Sequence, residues 1–426
     1  MKKLSVLYQG WGESWPLGML ADNGRDLLFE YSPQALAQGL ELSPRHLKLK
    51  AGAYGNFPSY LERLPGLIAD ALPDGWGLLL MDKQFRRVGR SPASISVLDR
   101  LAFIGNRAIG ALAFEPADDC EIQPEDLSLL TLAKEIKHVV AGEESAALEQ
   151  LALIGGSPHG ARPKVLVNYE VESGTLSSVP KAAGLPWLIK FPSQHEHKEV
   201  CAIEALYAKL ASDCGIEMPP TRYFDINASL SAFGIARFDR QDGMRIPTHT
   251  LAGLLHSDFR IPSVDYTTFL RATRFLTRDE REVKKAYLHC VFNVVMHNRD
   301  DHAKNISYCL TQDRQWKLSP GYDLTFSSGP GGEHHMDICG EGNKPGSAHL
   351  IRLAKEVEVN MDDANRAMTA VCEVAEKFAE EAEAFAIRKA TVRNIDALIK
   401  LNLARLQDVS GTAWLSSRAQ RGKPAG

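Results

Sequence analysis

The chain has 426 residues, of which 44% are hydrophobic and 24% are charged, a composition typical of a globular protein with more than one structural unit. Its net charge of -4 argues against DNA binding as its main activity, because sequence-independent affinity for nucleic acid depends on positive charge. Its seven cysteines are dispersed, without a Cys-x-x-Cys pair, which is typical of reduced cytosolic thiols rather than of disulfides or a zinc site.

The N-terminal segment does not predict a signal peptide, because Gln9, Gly10 and Glu13 interrupt its apolar residues. No stretch reaches the roughly 18 consecutive apolar residues that a membrane span needs. We therefore expect a cytoplasmic protein with no membrane partner.

The alternation of strand-like and helix-like stretches divides the chain into parts. They are a β-rich subdomain with helices (1–116), a sheet-containing domain (128–240), a mostly helical domain (241–415) and a frayed tail (416–426). The acidic, polar residues 117–127 predict the linker between the first two parts. The sequence therefore predicts an α+β fold.

In the first part, alternating apolar residues predict strands before residue 50, with Asn23-Gly24 at a hairpin. Leucines at three- and four-residue spacing predict a helix from Tyr60, which Pro73-Asp74-Gly75 separates from a second helix ending near Arg87. Residues 98–116 predict a helix end, a glycine-containing turn and a strand.

In the second part, a helix is predicted over Leu129–Leu153, with Ser128 as a possible N-cap. A glycine-rich loop then leads into an antiparallel sheet. A further helix is predicted over Glu199–Gly215, followed by strands. This order, a sheet lobe before a helical lobe, is that of a two-lobed kinase.

The segment His297–Tyr308, HNRDDHAKNISY, concentrates chemically active residues after an apolar run. Phosphoryl transfer from Mg-nucleotide needs a carboxylate at the acceptor hydroxyl, and an amide and a second carboxylate on the metal. Asp300 fits the first role, Asn305 fits the metal, and Lys304 would neutralise charge on the transferred group. Asp301 and His302 are interpreted as scaffold. A metal site formed by His297, Asp301 and His302 is a less favoured alternative, because the spacing lacks a helical His-x-x-x-His.

Asp323 follows in LSPGYDLTFS, beyond a predicted short hairpin, and supplies the second metal carboxylate. Its alternative role is an Asx hydrogen bond in a turn.

The loop GGSPHGARPK (Gly155–Lys164) would bring its backbone close to phosphate oxygens through Gly155, Gly156 and Gly160. Ser157 would lie beside the γ-phosphate, as a binding group or as a target. An ordinary flexible loop explains the segment equally well.

Lys190 lies among apolar residues in a predicted strand, which is unusual for a lysine without a partner. Nucleotide phosphates and a carboxylate of the following helix would provide one. Glu199 and Glu204 are the candidates, and Glu204 is favoured. Alternatively, the side chain reaches water from a strand edge.

These segments together resemble the HipA-type serine/threonine kinases, the toxins of bacterial toxin–antitoxin pairs. The resemblance covers nearly the whole chain and rests on these strings: LPDG (Leu72–Gly75), GNRAIGALAFEP, SxxGARPK, IKFP, RFDR (Arg237–Arg240), DDHAKN and YDL. It implies a protein-kinase-like fold that uses ATP and Mg²⁺.

The resemblance also implies roles for individual residues. The nucleotide would be bound by the following residues: His159, Gly160, Ala161, Arg162, Pro163 and Lys164 on the phosphates, Lys190 with Glu204, Ala236, Arg237 and Phe238 at the adenine hinge, and His302, Ala303, Asn305, Tyr322 and Asp323. Asn305 and Asp323 would hold Mg²⁺, with Asp300 and Lys304 as catalytic residues. Ser157 matches the loop serine whose autophosphorylation switches family members off.

Two positions depart from the family pattern: Arg162 stands where many members carry glutamine, and Ala236 where some carry an acidic residue. Neither change removes a catalytic group, so the sequence predicts an active kinase.

The resemblance implies a small helix-turn-helix antitoxin, similar to HipB, as partner. It also implies an aminoacyl-tRNA synthetase as protein substrate, and DNA contact only through the antitoxin. Two alternatives remain open: a small-molecule kinase on the same fold, and a non-catalytic corepressor that binds the antitoxin.

Overall fold

The computed structural model describes residues 1–117, 126–145, 147–156, 158–178 and 184–407. Ser157, Cys120, most of the predicted linker and the predicted tail lie outside the described residues. The chain forms two units. The first contains Met1–Ala205, Pro219–Asp258 and Ile306–Pro320, and the second contains Leu206–Met218, Phe259–Asn305 and the chain from Gly321 onward.

An antiparallel sheet begins the first unit, as the alternating sequence predicts. Among the described residues it has the order β4-β3-β2-β1-β5. Its strands are β1 (Lys2–Tyr8), β2 (Trp15–Asp22), β3 (Leu27–Tyr31), β4 (Ala53–Tyr54) and β5 (Leu112–Glu115). The Asn23-Gly24 hairpin is confirmed, because Asp22 pairs with Leu27 and Gly24 has a φ of 89°.

Four helices accompany this sheet: α1 (Pro33–Gln38), α2 (Gly66–Ala69), α3 (Gly75–Arg87) and α4 (Val97–Ile104). The continuous helix predicted from Tyr60 is wrong. Glu62 and Arg63 have φ values of 55° and 60°, and Pro65 has no N–H to donate, so only a 3₁₀ turn and the short α2 form. The predicted second helix is α3.

A second sheet of the same unit contains Lys190 and adjoins the predicted phosphate loop (Gly155–Lys164). Its described strands have the order β10-β11-β9-β7-β8-β6, and all neighbours are antiparallel. They are β6 (Asp126–Leu127), β7 (Lys164–Tyr169), β8 (Leu176–Ser177), β9 (Leu185–Lys190), β10 (Thr221–Asp225) and β11 (Ser231–Ala236).

Three helices belong to this region: α5 (Leu129–Val140), α6 (Leu148–Gly155) and α7 (Glu199–Asp213). Ser128 caps α5 by accepting a hydrogen bond from the N–H of Thr131, as predicted. The single helix predicted over Leu129–Leu153 is two helices, because the chain turns after α5 and Gly142 adopts a φ of 83°.

Two small sheets complete the first unit within the described residues. One pairs β12 (Arg240–Gln241) with β13 (Met244–Arg245). The other joins β14 (Thr248–Thr250), β15 (Ser307–Leu310) and β16 (Trp316–Leu318), and α8 (Leu251–Leu255) follows β14. The pair β15 and β16 is the short hairpin that the sequence predicts before Asp323.

The second unit is mostly helical. Its helices are α9 (Tyr266–Thr277), α10 (Glu280–Val295), α11 (Ser347–Glu356), α12 (Met361–Ala375), α13 (Phe378–Glu381) and α14 (Lys389–Gln407). The apolar run before the central motif forms α10, which packs against α9, α12 and α14. In the part of the chain that the structure describes, no helix combines the length and apolar character needed to span a membrane.

Candidate active site

Lys190, at the end of β9, forms a buried ion pair. Its Nζ lies 2.5 Å from Oε1 of Glu204 in the second turn of α7, and the two side chains are 7% and 4% exposed. Glu199 instead lies near His197, with 3.8 Å between Oε1 and Nδ1. The prediction that Glu204 is the partner of Lys190 is therefore confirmed.

Two more cations surround this pair. Lys164 on β7 is the cross-strand neighbour of Lys190, and Nη1 of Arg162 lies 3.5 Å from Oε2 of Glu204. Arg162 also donates two hydrogen bonds to Oε1 of Glu196, at 3.0 and 2.8 Å. Lys190 and Arg162 thus both contact Glu204, with Lys164 on the neighbouring strand. Burial lowers the pKa of Lys190 to about 8, because attraction to Glu204 offsets desolvation only in part and Lys164 adds repulsion.

The described part of the predicted phosphate loop turns sharply at Gly160, whose φ is 99°. Lys164 folds back beneath this turn, and its Nζ donates a 2.5 Å hydrogen bond to the carbonyl of His159. A Cβ at Gly160 would collide with that Nζ. Glycine is therefore favoured here by the backbone conformation, and a Cβ would make the Lys164 ammonium group move.

The other two glycines are explained by packing inside the protein. Gly155 ends α6, where a Cβ would lie 2.8 Å from the carbonyl oxygen of Lys164. At Gly156 a Cβ would collide with the carbonyl of Ala152. Neither has a positive φ. The glycine-rich pattern predicts close approach to phosphate at all three glycines, and the packing gives Gly155 and Gly156 a different reason.

The loop is held by the N-terminal part of the first unit, a contact that sequence reasoning missed. Oδ1 of Asp74 accepts a hydrogen bond from the N–H of Gly160. The backbone N–H of Trp76 donates to the carbonyl of Gly160 at 3.3 Å, and its indole Nε1 donates to the carbonyl of Lys164 at 2.9 Å. On the far side, the N–H of Phe191 donates to the carbonyl of Pro163 at 2.9 Å. The LPDG string was the available signal: it lies between two predicted helices and is one of the strings of the family resemblance, but the sequence does not indicate this contact.

Residues 236–238, the predicted hinge, begin at Ala236, the last residue of β11. The N–H of Ala236 donates to the carbonyl of Pro220 and that of Arg237 to the carbonyl of Pro186, both at 2.8 Å. These two N–H groups already have partners within the protein. A backbone hydrogen bond from the hinge to a ligand would therefore come from another group.

Asp239, in the RFDR string, ties the hinge to the GNRAIG turn. Arg237 binds its carboxylate through two hydrogen bonds of 2.8 and 2.7 Å, and the N–H of Gly110 donates to it at 2.8 Å. Arg245 donates to the carbonyls of Ala108, Gly110 and Leu112 at 2.7–3.1 Å. The RFDR and GNRAIG strings are both recognisable in the sequence, but the contact between them is not.

In the second unit, Asp300 is the exposed member of the Asp-Asp pair, with 57% of its side chain accessible. Nε2 of His302 lies 3.8 Å from its Oδ1. Asn305 ends a 3₁₀ turn, Ala303–Asn305, and its Nδ2 donates a 2.9 Å hydrogen bond to the backbone carbonyl of Asp300. This bond directs the other amide atom, Oδ1, away from the Asp300 backbone. That orientation fits a metal-ligating oxygen.

Lys304 points toward an aromatic ring. Its Nζ lies 4.5 Å from the ring centroid of Phe259, a cation–π contact. The ring of His302 lies beside the same phenyl group, with 5.6 Å between centroids, and Ala303 between them is buried. Phe259 therefore contacts both Lys304 and His302 of the predicted catalytic segment. No sequence signal indicated a role for Phe259.

Asp301 is the buried member of the pair and is a scaffold residue, as interpreted. Its carboxylate accepts hydrogen bonds from the hydroxyl of Tyr266 at 2.7 Å, from the N–H of His335 at 2.8 Å, and pairs with Nδ1 of His334 at 2.8 Å. Burial would raise the pKa of Asp301, but His334 and these hydrogen bonds outweigh it and lower the pKa.

Asp323 lies in a segment that runs beside the same loop. The hydroxyl of Tyr322 donates a 2.9 Å hydrogen bond to the carbonyl of Lys304, and Asn298 forms a parallel bridge with Ser327. Asp323 itself has a φ of 53°, a conformation that aspartate adopts more readily than most residues. Tyr322 and Ser327, on either side of Asp323, therefore contact the segment that contains Asp300 and Asn305.

The alternative metal site is not formed in the described structure. Nδ1 of His297 lies 3.2 Å from Nδ2 of Asn402, and the carboxylate of Asp301 faces His334 rather than His297 or His302. Among the described residues, no group of three or more histidine, cysteine, aspartate or glutamate side chains could hold a metal ion.

A cavity of about 600 Å³ opens to solvent beside Asp300 in the second unit. Phe259, Arg260, His302 and the segment Ser327–Pro330 line it. In the first unit, a separate cavity of about 650 Å³ reaches hinge residue Arg237 and the sheet residues Leu166, Asn168 and Pro186.

Comparisons with known proteins agree with the resemblance seen in the sequence. The HipA N-terminal domain model matches residues 8–115, and the HipA-like C-terminal domain model matches residues 156–381, more than half of the chain. A search of curated proteins gives no match.

One similar solved structure is a chain of the Shewanella oneidensis MR-1 toxin–antitoxin complex of HipA, HipB and operator DNA. It has a TM-score of 0.68 and 16% identity, and the match covers 95% of this chain and 97% of that one. The Helicobacter pylori proinflammatory kinase CtkA matches at a TM-score of 0.40 and 10% identity, over 62% of this chain and 94% of that one. The predicted α+β fold, with a β-rich N-terminal region and a mostly helical C-terminal region, is confirmed. By its two domain matches, this chain belongs to the HipA family.

Proposed function

We propose that this chain is an ATP- and Mg²⁺-dependent serine/threonine protein kinase and the toxin of a toxin–antitoxin pair. The observation that carries the proposal is the buried pair of Lys190 and Glu204 within a group of three cations and two carboxylates. Lysine and arginine side chains held together beside a buried carboxylate are groups to which the phosphates of a nucleotide would bind.

In the first unit, Lys190 would contact the nucleotide phosphates while Glu204 keeps its ammonium in place. Lys164 and the loop backbone would complete phosphate binding, with Arg162 held to Glu196 at the edge. The cavity at Arg237 and Leu166 has a size that suits a nucleoside.

In the second unit, Asp300 is exposed and reachable by an acceptor hydroxyl, whose proton it would receive or orient. Oδ1 of Asn305 and the carboxylate of Asp323 are oxygen ligands of the type that Mg²⁺ prefers, so these residues fit the ion. When bound, Mg²⁺ neutralises charge that develops on the phosphate oxygens. Lys304 would place a further positive charge near the transferred group.

The acceptor is proposed to be a polypeptide. The cavity beside Asp300 is open to solvent and Ser327–Pro330 contribute to its lining, so it would admit a chain segment that carries a hydroxyl. A small-molecule kinase would enclose its acceptor more fully, because small-ligand sites bury most of the ligand surface.

The partner and target proposals rest on the family. The similar complex contains HipB and operator DNA, and we infer that a small helix-turn-helix antitoxin binds this chain and mediates any contact with DNA. An aminoacyl-tRNA synthetase is the proposed substrate, Ser157 the proposed autophosphorylation site, and the cytoplasm the proposed location.

The test is the intact mass of the purified protein before and after incubation with Mg-ATP. We expect the parent protein to gain one phosphoryl group, and Asp300→Asn and Ser157→Ala to gain none. If Ser157→Ala gains as much phosphate as the parent protein, the modified residue is not Ser157. No gain by unmodified parent protein, together with no ATP turnover, would overturn the kinase and favour the corepressor.

The acceptor class is tested separately. A panel of protein and small-molecule acceptors is incubated with the parent protein and labelled ATP. Transfer to a small molecule alone would replace the protein-kinase proposal with the small-molecule kinase.

A further inference from the structure

The carboxylate of Asp74 is used in an unusual way. Asp74 precedes α3, the position where an aspartate commonly caps a helix by accepting a hydrogen bond from its first turn. Its side chain makes no such bond to α3. Its Oδ1 instead accepts the N–H of Gly160, 86 residues along the chain, in the predicted phosphate loop.

Two of the residues after Asp74 are glycines that lie close to the backbone of the same loop. A Cβ at Gly75 would lie 2.7 Å from the Cα of Ala161, and a Cβ at Gly77 would lie 3.1 Å from the carbonyl oxygen of Gly156. Backbone therefore packs directly on backbone here. At Gly75 this leaves no room for a side chain without displacing the loop, whereas at Gly77 the nearest atom is the Cβ of Pro73, at 2.5 Å.

Trp76 strengthens the contact from between these glycines. It is 2% exposed, and its backbone and indole N–H groups donate to the carbonyls of Gly160 and Lys164. Asp74 accepts from the N–H of Gly160 and Trp76 donates to its carbonyl, so both backbone polar groups of Gly160 have partners in this segment. The left-handed turn at Gly160, with its φ of 99°, is thus held from outside the loop.

The electrostatics favour the same arrangement. The N-terminal end of α3, a helix of 13 residues, is its positive end and stabilises a negative charge at Asp74. Because Asp74 holds the N–H of Gly160, phosphates would be bound by the other loop groups and by Lys164 and Lys190.

We propose that Asp74 is a positioning residue through which the N-terminal part of the chain sets the affinity for nucleotide. It holds the phosphate loop in its binding conformation before the nucleotide arrives, so that binding does not have to order the loop. This inference rests on the proposed kinase function, because it assigns the loop to nucleotide phosphates.

The experiment compares the parent protein with Asp74→Ala and Trp76→Phe. The dissociation constant for Mg-ATP is measured by calorimetry, and hydrogen exchange is measured at Gly160 and Ala161. We expect Asp74→Ala to weaken binding roughly tenfold or more and to speed exchange at Gly160, since a hydrogen bond to a charged group is lost. Trp76→Phe, which removes the indole N–H together with part of a buried ring but keeps the backbone N–H, should have a smaller effect of the same sign.

Asp82→Asn is the matched control. Asp82 lies on the same helix and pairs with Arg100 at 2.8 Å, so its substitution removes an α3 carboxylate without touching the loop. It should leave both readouts at the parent values. Melting temperatures of all variants separate loop effects from unfolding, and if Asp74→Ala does not fold, Trp76→Phe carries the test.

The outcomes separate this inference from the proposed function. A parent protein that binds no nucleotide would overturn both. A parent protein that binds Mg-ATP, with an Asp74→Ala variant that binds equally well, would overturn the inference alone. Tighter binding by Asp74→Ala would also overturn it, because the carboxylate would then compete with phosphate.

Discussion

At the scale of residues, two neighbouring aspartates have opposite environments. The side chain of Asp300 is 57% exposed, whereas that of Asp301 is fully buried with Tyr266 and His334 as partners. The sequence assigned chemistry to Asp300 and a scaffold role to Asp301, and their environments are consistent with that division. The catalytic role of Asp300 stays a prediction.

The two substitutions should therefore separate activity from stability. Asp301→Ala should lower the free energy of unfolding by about 3–5 kcal/mol, because it removes one member of a buried charged network. Asp300→Ala should change it by less than about 0.5 kcal/mol but reduce phosphoryl transfer by roughly 100-fold or more. Urea unfolding and the ATP-dependent mass gain measure the two effects. Equal loss of stability in both variants would contradict the division.

A second residue-scale prediction concerns pH and Lys190, whose pKa is lowered to about 8 by burial. Bound phosphates would raise this pKa, so nucleotide binding favours the protonated lysine. Affinity for Mg-ATP should be nearly constant below about pH 7, begin to fall near pH 8, and fall by up to about tenfold per unit above it. Calorimetric titrations from about pH 6.5 to 9.5 measure this. In Glu204→Gln, which loses an attraction that raises the pKa, the fall should begin at lower pH.

At the scale of elements, the structure joins segments that the sequence presented separately. The turn before β5 is held by β13 and by the residues after β11, through the side chains of Asp239, Arg240 and Arg245. Such contacts depend on the planar, five-donor geometry of the guanidinium group, which reaches several carbonyls at once.

Arg245→Lys should therefore not be a conservative change. Lysine keeps the positive charge but cannot reach the carbonyls of Ala108, Gly110 and Leu112 together, so the free energy of unfolding should fall by about 2 kcal/mol. Thermal unfolding measures the loss. Arg25→Lys in the β2–β3 turn, whose side chain is exposed, is the control and should behave as the parent protein. A melting temperature unchanged in Arg245→Lys would show that charge alone suffices.

At the scale of the whole molecule, both units contain histidines whose pKa values are held low. His256 in the first unit has its pKa lowered to about 4 by burial and by nearby His46. His297 in the second unit has its pKa lowered to about 4 by burial and by Arg299. Both must stay neutral in the folded protein, because Nε2 of His256 accepts the N–H of Gly66 and Nδ1 of His297 faces the amide of Asn402.

The protein should therefore lose stability in mild acid. Between about pH 6.5 and 4 the unfolded chain binds protons that the folded chain excludes, so stability is complete above this window and falls as the pH is lowered through it. For His297, which is 5% exposed, the loss is up to roughly 3 kcal/mol. Urea unfolding at several pH values should show this slope, and His297→Asn should flatten it. An unchanged slope in the variant would refute the assignment.

The sequence by itself determined the strands and most helices, the antiparallel sheet around Lys190, and the order of the motif segments. These depend on local patterns: alternation of apolar residues in strands, three- and four-residue spacing in helices, and glycine or proline at turns. It also indicated Glu204 as the partner of Lys190, because Glu204 lies one turn into the apolar face of the helix that follows the strand of Lys190. The helix predicted from Tyr60 failed where Pro65 and two residues with positive φ broke the pattern.

Only the tertiary structure decided which distant groups meet. The contact of Asp74 with Gly160, the pairing of Asp301 with His334 and the contacts of Arg245 with the turn at Gly110 join residues 33 to 135 positions apart. Periodicity carries no information on such pairs, because they depend on how elements pack after they form. The two glycines at 155 and 156 illustrate this, since their neighbours and not their sequence explain them.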